Sequence, residues 1–275
     1  MSKTLATALA LALAAAPAAG AQSFAYAPGT RQYQLEQTIA SSQEMGGAKM
    51  EMTVNTTQFI TMTLGAATGG AMPVTYQVDS VTIDADAPGN PQAEAVRAQL
   101  QQQRQQIVGQ RVVGAISPLG RAATLAPADS TLPNGAQLAT GFRGFITAFP
   151  SADVKTGLTW TDTTTTNFDN NGITGKTVAV ITHIVEGDTT VHGAKAWKVT
   201  QQGRLTVDGS GNTNGTDVAM KGSGTMSGTS FVGQDGVFLG GNTTMSQTST
   251  VEIPAAGMAI PLTQTVTTKL TPLGH

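Results

Sequence analysis

The amino-acid sequence predicts a mainly β protein: a curved antiparallel sheet or incomplete barrel, built as a meander, with one or two helices packed on it. Polar and apolar residues alternate over most of the chain, which is the period-2 pattern of strands with one buried face. Short polar turns containing Gly separate these segments, and such turns join antiparallel neighbours. Because helical patterns are few and do not alternate with the strands, an α/β fold is not expected.

The first residues are typical of a bacterial secretory signal peptide. Lys3 supplies a positive start, a run of Leu and Ala follows, and Ala19, Gly20 and Ala21 resemble a signal-peptidase site. The apolar run is shorter than the roughly 20 residues of a membrane-spanning helix. We therefore expect signal peptide 1–21 to be removed near Ala21, leaving a periplasmic or secreted, soluble protein with no membrane span.

The rest of the chain, 22–275, is predicted to form a single β-rich domain. Its two sub-lobes would be 22–140 and 150–275, joined by a helix at 141–149. The length is sufficient for one large β domain.

Composition excludes several classes of function. The chain has no Cys, so disulfides and Cys-based zinc, iron–sulfur or thiol chemistry are absent. The formal net charge is −2 and charged residues make up 12%, without a basic patch, so nucleic acid is not an expected partner. No cofactor or metal is predicted.

The first half of the chain contains strands, one helix and two further short strands. Alternation predicts strands at 31–40, 49–65, 74–85, 110–117 and 121–126, where 49–65 is either one strand or two strands separated near Asn55. In the third of these the alternation slips once at Asp79 and Ser80, which indicates a β-bulge.

The helix is predicted over 91–108. Asn90 is a good N-cap, Pro91 suits the first helical position and Gly109 suits the C-terminal cap. Its apolar stripe is narrow and the other face is nearly all Gln and Arg, so we expect it to lie on the sheet with most of its surface in water.

The second half, from Trp160 onward, is predicted to be an antiparallel meander. Its turns are expected at 169–172, 186–188, 208–215, 234–236 and 254–257. Glycines of "GSGTMSG" at 222–228 do not fit a nucleotide-binding loop, and we interpret them as turns, bulges or positions of close strand packing.

The segment "FRGFITAFPSADVKTGLTW" concentrates aromatic residues in a chain that has few. Phe142, Phe145, Ile146 and Phe149 are spaced as one face of a short helix, which Pro150 would end. This apolar face is either a plug that closes the β core or a lid over an apolar cavity, and buried aromatic residues more often belong to a core. Together with Trp160, these four are the candidate ligand-binding residues.

The histidines suggest one alternative site. If Gly187 and Asp188 form a hairpin turn, His183 lies opposite His192, and two imidazoles could share a metal ion. No third ligand is apparent on that face, so a polar cross-strand pair is the favoured interpretation.

Two other chemical signatures are incomplete. The segment at 208–217 resembles a calcium loop, but Thr213 and Ala219 stand where Gly and Glu are required. No motif of a catalytic nucleophile or metalloprotease is present, so no catalytic residue is assigned and an enzyme is less expected than a binding protein.

Several segments resemble a family of uncharacterised exported bacterial β-rich domain proteins. They are "IVGQRVVGAISPLGRAATL", "FPSADVKTGLTW" and the D-G turn between long strands in "SGTSFVGQDGVFLGGNTTMSQTSTVEI". The resemblance covers about 33–270 and implies no catalytic residue. The fold is also loosely similar to periplasmic lipoprotein and lipid carriers, which implies a concave apolar face.

Three functions remain open from the sequence. The first is a non-catalytic exported protein that binds an apolar or lipid-like ligand, or an envelope component, between sheet and helix. The second is a structural or protein-interaction domain of the cell envelope, and the third is an enzyme of unknown class.

Overall fold

The structure, a computed structural model, describes residues 24–45, 48–88, 93–129, 138–139, 142, 146–151, 153–170, 172–213 and 215–274. The predicted signal peptide, the proposed N-cap Asn90 and the candidate Phe145 lie outside these residues.

The described residues form one antiparallel sheet of 11 strands. The strands are β1 Gly29–Met45, β2 Ala48–Leu64, β3 Met72–Asp86, β4 Arg111–Ile116, β5 Ala122–Pro127, β6 Thr159–Asn170, β7 Ile173–Val191, β8 Ala194–Thr213, β9 Thr216–Gly233, β10 Phe238–Ile253 and β11 Met258–Leu273. One α-helix, α1, spans Ala93–Ile107. The predicted mainly β class is confirmed.

The strand order is β5-β4-β3-β2-β1-β11-β10-β9-β8-β7-β6. Neighbours in sequence are neighbours in the sheet, as a meander predicts, except that β5 and β6 are not paired and β1 pairs with β11. The first and last strands therefore lie side by side in the middle, and β5 and β6 form the two edges of this open, curved sheet.

Helix α1 packs on β3 and completes part of its hydrogen bonding. Strand β4 pairs with β3 only from Met72 to Gln77, so the outer edge of β3 beyond this point has no neighbouring strand. Side chains of α1 donate to carbonyls there: Arg97 Nε to Ala85 O at 3.1 Å and Gln101 Nε2 to Ile83 O at 3.3 Å.

The predicted bulge in β3 is confirmed. The register between β2 and β3 shifts where Phe59 opposes Ser80 and Ile60 opposes Val78, so that Asp79 is the extra residue. Its carboxylate accepts hydrogen bonds from Thr61 Oγ1 at 2.6 Å and Gln77 Nε2 at 3.2 Å. The bulge restores the inward orientation of apolar residues on both of its sides.

The predicted turn at 186–188 is wrong. Strand β7 continues through it with a register shift between Val185 and Gly187, and Glu186, the extra residue, accepts a hydrogen bond from Thr200 Oγ1 at 2.8 Å. The hairpin turn instead falls at His192 and Gly193, which both have positive φ, 49° and 81°. Two consecutive positive φ values suit a two-residue hairpin turn.

The predicted turn at 208–215 is shorter than expected. Strand β8 extends to Thr213, and β9 begins at Thr216. The turns near 169–172, 234–236 and 254–257 are found between the strands that they were expected to join.

The helix predicted at 141–149 does not reach its expected end. Residues 138, 139 and 142 are helical, whereas 147–149 are not. The backbone of this segment bonds elsewhere: Phe149 N donates to Leu119 O at 2.8 Å, and Thr147 O accepts from Tyr26 Oη at 2.8 Å. These bonds hold the segment against the turn between β4 and β5.

The hydrophobic core lies at one end of the sheet and draws on both halves of the chain. Tyr33 and Tyr76 are among its largest fully buried side chains. Tyr33 Oη donates to Phe238 O at 2.9 Å, so a buried hydroxyl of β1 is satisfied by a residue 205 positions away. Burial raises the pKa of Tyr33 to about 12, which keeps this donor protonated.

Gly120 is required at the point where the 146–149 segment meets the β4–β5 turn. Its φ is +84°, and an added Cβ would lie 2.5 Å from Tyr26 Cε2 and 3.0 Å from Ile146 Cγ2. Gly157 has nearly the same φ, +80°, but an added Cβ there would meet nothing within 4 Å.

We expect Gly120→Ala to lower the free energy of unfolding by about 1–3 kcal/mol more than Gly157→Ala does. Both variants incur the strain of a positive φ, about 1–2 kcal/mol, but only the first adds a clash with buried side chains. Urea unfolding of the two variants measures the difference. Equal losses would show that Gly120 does not determine this contact.

Candidate functional site

An aromatic cluster formed by Phe24, Tyr26, Phe149 and Trp160 lies in the hydrophobic core. Phe149 is fully buried, with its ring centroid 4.4 Å from that of Phe24 and 5.6 Å from that of Trp160. Tyr26 meets Phe24 edge-on at 5.2 Å. The rings thus pack on one another, and the edge-on pair of Tyr26 with Phe24 has a geometry that aromatic pairs favour.

The other described candidates are also buried. Phe142 stacks on Tyr76 of β3, with centroids 4.6 Å apart and an interplanar angle of 5°. Ile146 is buried in the same hydrophobic core. Phe142, Ile146, Phe149 and Trp160 therefore contribute to the core, and their contact with a ligand stays a prediction.

Trp160 lies where the cluster meets the rest of the sheet, in a group with His183 and Asp162. The Trp160 and His183 rings stack at 4.9 Å and 9°. Trp160 Nε1 donates to Asp162 Oδ2 at 3.2 Å, and His183 Nε2 is 3.6 Å from the same oxygen. His183 Nδ1 is buried, and no hydrogen-bond partner for it is found among the described residues.

Burial determines the charge of His183. It lowers the pKa of the imidazole from its ordinary value of 6.5, while the Asp162 carboxylate acts in the opposite direction. A neutral His183 can donate one hydrogen bond and accept one.

The predicted pairing of His183 with His192 is wrong. His183 lies opposite Trp160 on β6 and Gln201 on β8, whereas His192 lies in the β7–β8 turn. The continuous β7 strand separates the two histidines by nine residues. Among the described residues, no group of three or more His, Cys, Asp or Glu is placed to hold a metal ion.

Beyond the core, cross-strand partners form rows across the inner face of the sheet, which is the face that carries Tyr33 and Leu35. The first is a polar row, in register across seven strands: His183, Gln201, Gly228, Thr243, Thr268, Gln37 and Thr56. Gln37 Nε2 donates to Thr268 Oγ1 at 3.4 Å within it.

The next row is apolar, and we call it the methionine row. It runs through Met226, Met245, Val266, Ile39, Val54 and Ala85. Val54 and Ala85 are buried on the side of the sheet where α1 packs, whereas the first four are only half-buried. The row therefore passes from the helix into a less covered part of the inner face.

The inner face carries no ionisable side chain over the described stretches 37–43, 50–56, 201–213, 216–228, 243–253 and 258–268. In the strands that contain these stretches, charged residues near and within them occupy outward positions: Glu36, Glu44, Lys49, Glu51, Arg204, Asp208, Asp217, Lys221, Glu252 and Lys269. Glu36 and Lys269, directly opposed on the outer face, form an ion pair at 3.3 Å. Over these stretches charge lies on the outer face, whereas Asp162 of β6 and Arg31 of β1 lie on the inner face outside them.

The glycines of β9 have no side chain, so they leave shallow depressions in the inner face and allow the neighbouring strands to approach closely. At Gly228 an added Cβ would lie 2.6 Å from Thr243 Cγ2 and 2.7 Å from Gln201 Nε2, and at Gly224 it would lie 2.9 Å from Gln247 Cα. The predicted interpretation of these glycines as positions of close strand packing is confirmed. Met226 projects between them.

A cavity of about 490 Å³ lies at the other end of the core, where β1, β10 and β11 meet. Arg31, Phe238 and Leu273 are among the residues that line it. None of the described candidates Phe142, Ile146, Phe149 and Trp160 is among them.

The methionine row was not identified from the sequence. Its members come from β9, β10, β11, β1, β2 and β3, so their proximity depends on strand order and register. The local signal was the alternation in "AMKGSGTMSG", where Met and Gly alternate with polar residues.

Comparison with known proteins finds only weak likenesses. No family profile and no curated protein matches the chain. The β domain of the Bordetella autotransporter Brka matches with a TM-score of 0.21 and 11% identity, over 88% of this chain and 100% of that one. The COG4313 outer membrane channel from Pseudomonas putida F1 matches with a TM-score of 0.22 and 8% identity, over 94% and 100%.

A DUF1329 family protein from Desulfovibrio piger has a TM-score of 0.13 and 6% identity, over 88% of this chain and 84% of that one. Similarity at this level carries no argument about function, and it does not demonstrate membership of the exported domain family that the sequence resembles. The helices in the described ranges are too short or too polar to span a membrane.

We expect Phe149→Ala to lower the free energy of unfolding by about 3–5 kcal/mol, because it removes a fully buried ring and leaves a cavity. Phe59→Ala is the control, since Phe59 is 39% exposed on the outer face and its loss should change stability by less than about 1 kcal/mol. Chemical denaturation of both variants measures the effect. Similar small losses would contradict the packing role of the cluster.

We expect the stability of the protein to fall as the pH drops below 6.5. The pKa of His183 is lower in the folded state, so the unfolded chain binds a proton first and is favoured between pH 6.5 and the folded pKa. In His183→Gln this part of the pH dependence should disappear, whereas His192→Gln should retain it. Thermal denaturation between pH 7.5 and pH 5 measures the difference, and identical pH profiles for both variants would refute the assignment.

Proposed function

We propose that the protein is a non-catalytic, exported component of the bacterial cell envelope that binds an apolar, lipid-like ligand on the inner face of its sheet. The ligand lies along the methionine row, between α1 and the inner face of β9 and β10. The observation that carries this proposal is the half-buried inner face, which is apolar or neutral and has no ionisable side chain over the stretches defined above.

The chemistry of the methionine row fits a flexible hydrocarbon chain. Met226 and Met245 are directly opposed, and Val266 continues the row. Methionine side chains adapt to irregular apolar shapes, and each Å² of apolar surface removed from water contributes about 25 cal/mol. Absence of charge matters equally, because a ligand that covered a charged group would leave that group unsolvated.

The aromatic cluster would form the closed end of this site. Trp160 packs against Phe149 and lies directly opposite His183 of the polar row, so it is the described candidate that connects the cluster to the proposed site. Phe142, Ile146 and Phe149 would then support the site by packing behind Trp160. The polar row offers His183, Gln201 and the Thr hydroxyls to a polar group of the ligand.

A structural or protein-interaction role is the second candidate. Outward positions of the long strands are rich in Thr and Ser, as in Thr244, Ser246 and Thr248 of β10. Such a face could contact another envelope component through hydrogen bonds. An enzyme has less support, because the described pair of a histidine with a carboxylate, His183 with Asp162, lies beside Trp160 with no nucleophile in the contacts described.

We expect Met245→Glu to abolish binding of an apolar probe, because it places a carboxylate in the middle of the methionine row. Thr244→Glu is the matched control, since the neighbouring side chain points outward on the same strand. The fluorescence of N-phenyl-1-naphthylamine, titrated with purified protein, should rise for the wild type and Thr244→Glu and not for Met245→Glu. Native mass spectrometry should show a lipid mass released from the wild type and from Thr244→Glu, and none from Met245→Glu.

Two results would contradict the proposal. One is a wild-type protein that neither carries lipid nor binds the probe. The other is equal binding by both variants with unchanged circular dichroism, which would place the apolar site elsewhere on the molecule.

A further inference from the structure

Strand β6 forms an edge of the sheet that is long, regular and unpaired in the described part of the chain. It pairs with β7 from Thr159 opposite Ile184 to Asn170 opposite Ile173, without a register shift. Within the described ranges, no backbone hydrogen bond joins 161–170 to a segment other than β7. The other side of β6 thus presents a row of backbone donors and acceptors, which is a template for a further strand.

The other open edges of the same sheet are protected. Strand β5 at the opposite edge has only six residues and ends in Pro127, which has no backbone N–H. The outer edge of β3 beyond β4 is occupied by side chains of α1, through Arg97 and Gln101. Short strands, proline and covering helices are the devices by which proteins prevent pairing at an edge.

In the described part of the chain, none of these three devices is found at β6. Its sequence, TWTDTTTTNFDN, contains no Lys, Arg or Pro, and six of its 12 residues are Thr. Threonine is β-branched and favours strands, and opposed Thr side chains can hydrogen-bond to each other, as Thr161 and Thr182 do here at 3.2 Å.

We propose that β6 pairs antiparallel with β6 of a second copy of this chain, forming a two-fold symmetric dimer. An axis perpendicular to the sheet keeps the inner faces of both copies on the same side. Directly opposed residues then lie on the same face of the sheet, which requires the two-fold axis to pass beside one residue of β6 and its copy. The two strands overlap over the greatest length when that residue is Thr164 or Thr165.

The charges on β6 are compatible with either centre. With Thr164 at the axis, Asp162 lies opposite Thr166 of the second copy. With Thr165 at the axis, Asp162 lies opposite Phe168 of the second copy. Asp169 lies opposite a Thr in both cases, so no carboxylates are directly opposed and like-charge repulsion is avoided.

A second copy suits this edge better than an unrelated strand. Self-pairing satisfies both edges at once, because each β6 both offers and needs the same donors and acceptors. It also makes the two inner faces continuous across the dimer. The proposal does not depend on ligand binding, since it rests on the edge and not on the face of the sheet.

Cysteine crosslinking tests the pairing directly, because the chain has no Cys and an introduced one is the sole thiol. We expect Thr164→Cys or Thr165→Cys, whichever lies at the axis, to form a disulfide-linked dimer under mild oxidation, at least 10-fold faster than Thr206→Cys. Thr206 is the matched control because it is an exposed Thr on β8, which has strands on both sides. Non-reducing electrophoresis gives the rates.

Sedimentation velocity tests the dimer in the unmodified protein. The wild type should sediment as a dimer at micromolar concentration, and Thr164→Lys with Thr165→Lys should weaken dimerisation at least 10-fold by placing like charges at the axis. A variant with Thr206→Lys and Thr225→Lys, which adds the same charge to exposed positions of inner strands, should remain dimeric. Circular dichroism should confirm that both variants are folded.

Three outcomes would overturn the proposal. The first is a monomeric wild type at all concentrations tested. The second is a dimer that survives both lysines and shows no preferential crosslink at β6, since another surface would then mediate it. The third is protection from hydrogen exchange, independent of protein concentration, of those β6 amides that do not bond to β7, since another segment of the same chain would then cover the edge.

Discussion

The pairing of β1 with β11 is the interaction on which the rest of the structure depends. It extends from Gln32 opposite Leu273 to Gln43 opposite Leu262 and joins the two ends of the described chain in the middle of the sheet. Without it, β1–β5 and β6–β11 are two separate meanders, each with an uncovered apolar face. The hydrogen bond from Tyr33 to Phe238 O spans the same junction within the core. Because these contacts are distant in sequence, the chain must close a very long loop before the core can form.

The lengths of the strands then determine which part of the inner face is covered and which part is exposed. Strands β4 and β5 have six residues each, whereas β7 and β8 have 19 and 20. The core, α1 and the aromatic cluster can cover only the part of the inner face that the short strands reach. The long strands extend past it, and there the inner face is neutral and half-buried. Segregation of charge to the outer side makes this extension usable for an apolar ligand without desolvating a charge.

The polar row ends at His183 and Trp160 of the Trp160 group, and the methionine row lies beside it on the inner face; this arrangement gives the proposed site its polarity. A hydrocarbon chain would contact Met226, Met245 and Val266, and a polar group would meet the hydroxyls and amides of the polar row. His183 is held neutral by burial despite the Asp162 carboxylate beside it. The inner face therefore combines an apolar surface with uncharged hydrogen-bonding groups.

Several features of the fold were predictable because they depend on neighbours in sequence. The alternation of polar and apolar residues predicted the strands, and one slip in that alternation predicted the bulge at Asp79. The capping residues and the narrow apolar stripe predicted helix α1. Glycine was a less reliable guide: Gly187 suggested a turn but lies within β7 beside a register shift, while the turn is formed by His192, an unusual residue at positive φ. The helical spacing of Phe142, Ile146 and Phe149 correctly indicated burial but not conformation. The backbone at 147–149 is determined by tertiary hydrogen bonds, one donated by Phe149 N to Leu119 O and one donated by Tyr26 Oη to Thr147 O.

The sequence by itself determined the period of each segment, and therefore which residues share a face and which of those faces is apolar. Only the tertiary structure decided which strands are neighbours and in what register. Met226, Met245, Val266 and Ile39 come from four strands, and Trp160, Asp162 and His183 from two, so no local pattern brings them together. The physical reason is that a shift of one residue between paired strands moves every side chain to the opposite face, and only the burial of the complete core selects one register.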